Sequence, residues 1–136
     1  MGIKISAIAH TDLDTIWNAW TNPRDIIVWN TASDDWHTTR AEVDLRVGGK
    51  FLSRMEAKDG SVGFDFSGTF TNIIDRQLIE YRMEDLRNVH VEFDAIAGGV
   101  CIVEVFDPED ENPLEFQEQG WQSILNNFVK YVESKK

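Results

Sequence analysis

One cysteine, Cys101, stands among 136 residues, which excludes an internal disulfide and any cysteine-rich metal framework. It lies in the apolar run Val100-Cys101-Ile102-Val103 and reads as a buried, inert thiol. Histidine is almost as scarce. His10, His37 and His90 are far apart, with no pair four residues apart and no cysteine nearby, so no metal-ligand spacing exists and no cofactor is expected. Positive charge is also short: 13 Lys plus Arg stand against 24 Asp plus Glu, a formal net charge of -11. Such a surface repels phosphate backbones and anionic headgroups, which argues against nucleic-acid and membrane-surface partners. No stretch approaches the ~20 apolar residues that a membrane-spanning helix requires, so stable membrane insertion is not expected. Met1-Gly2-Ile3-Lys4-Ile5 lacks the apolar core of a signal peptide, and the expected location is the cytoplasm. Repeats, low-complexity stretches and flexible linkers are missing as well. One domain over residues 1–136 is the expectation, long enough to bury a sizeable core.

Aromatic residues, by contrast, are plentiful: five Trp and eight Phe supply much of the area a core or pocket would bury. Their spacing outlines the elements. Ile3, Ile5, Ala7 and Ala9 alternate with polar residues as a first strand. Thr11-Asp12-Leu13-Asp14 resembles a helix start, with Thr11 as cap, and Asn22-Pro23 restarts a second helix. Two short helices are predicted over roughly 12–29. From about residue 35 to 106 the pattern is mostly β, with two-residue alternation through Val43, Leu45 and Val47, then Phe64, Phe66 and Phe70, Ile79, Tyr81 and Met83, and Val89, Val91 and Phe93. Turn signals at Gly48-Gly49, Asp59-Gly60 and Gly98-Gly99 separate the runs, which favours an antiparallel meander. Asp107 to Glu111 reads as an exposed acidic loop. Asn112-Pro113-Leu114-Glu115 then opens a final helix, predicted over about 113–133, with Trp121, Ile124, Leu125, Phe128 and Val132 along one face. Its length, ~30 Å at about 1.5 Å per residue, lets it cross a whole sheet. Gly120 weakens such a helix by about 1 kcal/mol relative to Ala, so close backbone approach or space beside Trp121 is expected there.

Four segments in this order resemble a known family: Trp17-Asn18-Ala19-Trp20-Thr21-Asn22-Pro23, Asp44-Leu45-Arg46-Val47-Gly48-Gly49-Lys50-Phe51, Gly68-Thr69-Phe70, and Gly120-Trp121 continuing to Phe128. The chain is similar to bacterial homologues of the C-terminal domain of the heat-shock-protein-90 ATPase activator, within the START-like (SRPBCC) superfamily. The resemblance implies an α+β helix-grip fold: a curved antiparallel sheet wrapped around a long C-terminal helix, with two short helices after the first strand. It further implies a cavity between helix and sheet, where superfamily members bind lipids, sterols, hormones or polyketides and some act as cyclases or hydrolases. The eukaryotic co-chaperone's additional N-terminal domain has no counterpart in this sequence.

The candidate ligand-binding residues follow from pattern and resemblance together. Trp121 and Leu125 on the final helix face the sheet; Phe64, Phe66, Phe70, Tyr81 and Phe93 form the facing wall; Trp29, Trp36 and His37 form a mouth, with His37 the polar group. Asp44 and Arg46 share a strand face and read as an ion pair rather than a catalytic one. Gly48-Gly49 lies between strands, the wrong context for a phosphate loop. Alternation turns Asp65, Glu92 and Asp94 away from the apolar face, and no residue is assigned a catalytic role. The leading expectation is a binder of a small hydrophobic or amphipathic molecule. An enzyme using the same cavity, a cyclase, dehydratase or hydrolase, is the alternative, with a chaperone-related interaction module beside it. A homodimer is compatible with all three.

Overall fold

The computed structural model describes residues 2–135. Strand β1 (Ile3–Ala9) leads into helices α1 (Leu13–Thr21) and α2 (Pro23–Trp29). Strands β2 (Trp36–Val43), β3 (Lys50–Ala57), β4 (Gly63–Ile74), β5 (Leu78–Met83), β6 (Asn88–Ile96) and β7 (Gly99–Phe106) follow, and helix α3 (Leu114–Ser134) closes the chain. All seven strands join one antiparallel sheet, ordered β1-β7-β6-β5-β4-β3-β2. The six later strands form the meander that their short turns dictate, and β1 docks on the far edge against β7. The α+β architecture expected from the sequence is present, down to the two short helices after the first strand.

Local chemistry explains most boundaries. Asp12, rather than Thr11, caps α1: its carboxylate accepts from the Thr15 amide at 2.8 Å. Asn22 ends α1 through its backbone and starts α2 through its side chain, which accepts from the Arg24 amide at 3.0 Å, with Pro23 in the first turn. Asn112 does not cap α3. Pro113 occupies the cap position without a side-chain bond, and Asn112 instead donates to Glu109.

The alternation through Leu45 and Val47 does not continue β2, which ends at Val43. Gly48 takes φ +84°, and a Cβ on Gly49 would lie 2.1 Å from the Asp44 carbonyl oxygen. The backbone therefore folds tightly on itself at residues 44–49, a turn open only to glycine at these positions. Asp44 and Arg46 pair at 2.9 Å in this turn.

Inner and outer faces of the sheet differ sharply. On β7, Val100, Ile102, Glu104 and Phe106 point inward and are buried, while Cys101, Val103 and Val105 are half-buried on the outside. The thiol expected to be buried thus sits on the convex face. The densest packing lies at one end of the sheet, where α1 and α2 meet α3. Trp20 packs against Trp29, Phe93 and Phe128 at centroid distances of 5.1, 5.5 and 4.8 Å, and Trp17 meets Phe93 edge-on at 5.4 Å. The Trp29 indole N–H donates to the Ala19 carbonyl at 2.9 Å, and Asn127 of α3 donates to the Trp29 carbonyl at 3.1 Å. Buried aromatic pairs add about 0.5–1.5 kcal/mol each beyond area burial, so this end is solid.

Candidate functional site

The other end is not filled. Between α3 and the concave face of the sheet lies a cavity of about 840 Å³, walled by side chains of α1, α2, β2–β5, β7 and α3. That volume falls in the usual range of ~300–1,000 Å³ for small-molecule sites. Its apolar wall is built from Phe51 on β3, Phe66 and Phe70 on β4, Tyr81 on β5, and Trp121 and Ile124 on α3. The rings brace one another: Phe51 meets Tyr81 at 4.7 Å and Phe70 at 5.3 Å. Trp121 lies flat on Phe106, with centroids 4.0 Å apart and planes inclined by 8°, and turns its edge to Phe66 at 6.0 Å. A wall held in this way is preformed rather than assembled around a ligand.

Gly120 lines the same space one residue before Trp121. A Cβ built on it would meet nothing within 4 Å, so no close backbone approach demands glycine. Its missing side chain leaves room in the cavity. Near the start of α3, Gln117 accepts from the Glu109 amide at 2.9 Å and donates to the carbonyls of Glu109 and Asn112 at 3.0 and 2.8 Å. The buried Gln117 thereby pins the 107–113 loop to the helix beside the opening.

The polar centre of the cavity is Glu104. It faces inward from the middle of the apolar row on β7 and is only 6% exposed. No group among the described residues hydrogen-bonds its carboxyl, yet every fully enclosed side-chain N or O among them has a partner. The Glu104 oxygens therefore open onto the cavity, whose wall includes this residue. Desolvation, with no compensating charge, pushes the carboxyl up to about 8. Burial also raises the Tyr81 hydroxyl well above its usual range; the Glu104 charge adds to this and Arg87 opposes it. Arg87, in the β5–β6 turn, is held by Asp85 at 2.8 Å.

Trp29, Trp36, Phe64, Phe66, Phe70, Tyr81 and Trp121 all line the cavity. Phe64 is 48% exposed and leans on Trp36 at 5.9 Å, forming part of the rim. Phe93 and Leu125 do not reach the cavity: both are buried, in the packed end and beneath α3. His37 does not reach it either. On β2 it alternates with Trp36, so when Trp36 turns inward the imidazole faces the other side, opposite Glu56 of β3. His90 is half-buried on the outer face, with its ring nitrogens 2.8 Å from Glu80 and 2.7 Å from Glu92. Sequence reasoning passed over Glu104, Phe51 and Gln117. The two-residue period puts Glu104 on one face of β7 with Val100, Ile102 and Phe106, but the opposite face is equally apolar, so the period alone does not place the carboxyl inside.

A seven-stranded antiparallel sheet curled around a long C-terminal helix, with an apolar cavity between them, defines a START-like, helix-grip protein. Comparison with known proteins narrows this class. The profile of the family described as Activator of Hsp90 ATPase homolog 1-like protein matches residues 10–133, and the chain belongs to that family. An AHSA1-like protein from Aeromonas hydrophila, solved in solution, is 46% identical over 99% of this chain and 94% of its own, with a TM-score of 0.94. A protein from Cytophaga hutchinsonii is 40% identical over 98% of this chain and 93% of its own, with a TM-score of 0.85. One from Nitrosomonas europaea, 16% identical over 99% of this chain and 96% of its own with a TM-score of 0.84, shares the fold. No curated protein matches the sequence significantly. No helix among the described residues is long and apolar enough to cross a membrane.

Proposed function

We propose that this protein binds a small hydrophobic or amphipathic molecule in the cavity between α3 and the sheet. The observation that carries the reading is the preformed cavity of about 840 Å³ with an aromatic wall. A protein interior normally packs to crystal-like density, so a void of this size forgoes contacts that an occupant would restore. Burying apolar ligand surface there contributes about 25 cal/mol per Å² before the costs of association. The residues proposed to make the contact are Trp29, Trp36, Phe64, Phe66, Phe70, Tyr81 and Trp121, with Phe51 added and with Phe93, Leu125 and His37 set aside.

Native mass spectrometry of untagged protein, purified gently from its own host, tests the reading. A stoichiometric adduct is expected, and the same spectrum reports whether the protein is a monomer or a homodimer. An apo mass together with no tryptophan-fluorescence response to a panel of hydrophobic compounds would sink it.

One observation favours a second reading, in which the cavity is catalytic. A carboxyl held as an acid near neutral pH, inside an apolar site, is the form a general acid requires. Under this reading an adduct recovered from the host would change mass on incubation with the protein, and Glu104→Gln would abolish the change. An adduct that stays unaltered through repeated incubation leaves binding alone.

A further inference from the structure

From the position of Glu104 we infer the ligand's chemical class: an apolar body bearing a protonated amine, whose ammonium group is held by the Glu104 carboxylate. This rests on the reading of the cavity as a binding site. A buried carboxyl costs free energy unless it is hydrogen-bonded, and buried charges are paired or hold a cation. Glu104 is only 6% exposed, and no described protein group bonds it. Its neighbours on the inner face of β7 are Ile102 and Phe106, and its partner across β6 is Val91, so the sheet supplies no counter-charge. Among the described residues the cation on the cavity wall is Arg87, and it is engaged by Asp85. An occupant that brings a charged donor therefore gains a partner that the wall does not already satisfy.

Charge around the opening points the same way. Glu42, Asp65, Glu84, Asp85 and Glu109 also border the cavity, against Arg87 among the described residues. Glu42, Asp65 and Asp85 are paired with Arg40, Arg54 and Arg87, and Glu84 and Glu109 leave the rim net negative. An anionic amphiphile such as a fatty acid would enter against that field, whereas an ammonium is drawn in by it. Shape agrees as well. Apolar side chains make up most of the wall around Glu104, broken by Ser53, Tyr81 and Gln117, which suits a ligand with one polar terminus and a largely hydrocarbon remainder.

The proton balance is explicit. In solution the ligand is R–NH3+ and Glu104 is largely the neutral acid. On binding, the Glu104 O–H bond breaks, its proton leaves to solvent, and the carboxylate accepts hydrogen bonds from the intact ammonium. Binding therefore releases up to one proton per ligand at neutral pH. The other ionisable groups bordering the cavity are Tyr81 on β5, held further into its neutral form, Glu42 on β2, Asp65 on β4, Glu84, Asp85 and Arg87 in the β5–β6 turn, and Glu109 before α3. Helix α3 itself presents Gln117 and Trp121, neither of which ionises near neutrality, so the part of the proton release that Glu104→Gln removes is the part that belongs to Glu104.

Three probes with a common ten-carbon chain separate the outcomes: decylamine, decan-1-ol and decanoate, titrated at pH 7 and followed by tryptophan fluorescence and calorimetry. Decylamine is expected to bind about tenfold more tightly than decan-1-ol, the size of one charge-assisted hydrogen bond, with decanoate weakest. In Glu104→Gln the amine should lose that advantage, while the alcohol stays within about twofold of wild type. The calorimetric enthalpy for the amine should depend on the buffer's ionisation heat, reporting the released proton, and lose that dependence in the variant. An amine-to-alcohol ratio unchanged by Glu104→Gln overturns the assignment, as does decanoate binding best. If none of the three binds, the cavity reading itself fails and the assignment falls with it. If decan-1-ol binds and the amine gains nothing, the cavity stands and only the Glu104 assignment is lost.

Discussion

Replacing Glu104 by glutamine removes a proton equilibrium while nearly preserving the side chain's shape. The folded protein holds this carboxyl at about 8, against 4.5 for an ordinary glutamate. An acid whose folded value is raised favours the folded state fully below pH 4.5. That contribution is lost as pH rises from about 4.5 to about 8 and is flat beyond, because the folded state binds more protons throughout this window. Each pH unit is worth about 1.4 kcal/mol, so wild type gives up roughly 3 kcal/mol by pH 7 relative to a neutral residue at this position. Glutamine escapes the loss, and its amide meets a desolvation cost similar to that of the neutral acid. The variant should therefore match wild type within about 1 kcal/mol at pH 5 and exceed it by roughly 3 kcal/mol at pH 7, on the order of 10 °C in midpoint. Urea denaturation at pH 5, 6.5 and 8, followed by tryptophan fluorescence, measures the difference directly. Equal stability differences at all three pH values would refute the claim that Glu104 is buried without a charge partner.

Three further outcomes follow from the same geometry. Trp121→Ala should cost about 1–2 kcal/mol of stability, since the ring is half-buried and loses one stacked and one edge contact, while Phe128→Ala should cost about 3–5 kcal/mol; ligand affinity should rank the other way, and a Trp121 variant as unstable as the Phe128 one would make Trp121 a core residue. Gly120→Ala should stabilise α3 by up to about 1 kcal/mol, because the added methyl enters open space, whereas Gly120→Leu should fold but compete with any occupant of the cavity; a destabilised alanine variant in thermal melts would contradict the open space. His90 titrates above its ordinary value, chiefly through its hydrogen bond with Glu80 and then through Glu92, so it should strengthen folding below about pH 6.5 and lose that contribution as pH rises through its folded value. An NMR titration of the imidazole checks this, and Glu80→Gln should lower the midpoint; no change would remove Glu80 as the cause.

Short-range pattern carried the architecture because each element announces itself locally. The stripe from Trp121 to Val132 can bury only one helical face, and the alternating runs from Phe64 to Phe106 can bury only one side of a sheet. Breaks at Gly48, Asp59-Gly60 and Gly98 leave an antiparallel meander as the short connection between them. Two-residue alternation also separates Trp36 from His37 once one of them is known to face inward. Which one does so depends on the helices that cover β2.

Tertiary structure decided the rest, because it turns on where elements meet. Phe66 and Phe93 have the same local pattern, yet Trp17 and Trp20 close over Phe93 while no side chain fills the space before Phe66. Glu104 lies in a strand whose two faces are both largely apolar in sequence: Val100, Ile102 and Phe106 on one, Cys101, Val103 and Val105 on the other. Nothing within β7 says which face α3 covers. Pairing with β1 and β6 and the passage of α3 overhead put the carboxyl inside, and burial then determined its charge. Periodicity determined what each element would bury; only the packing of α3 over one end of the sheet determined which aromatics became core and which became the wall of a cavity.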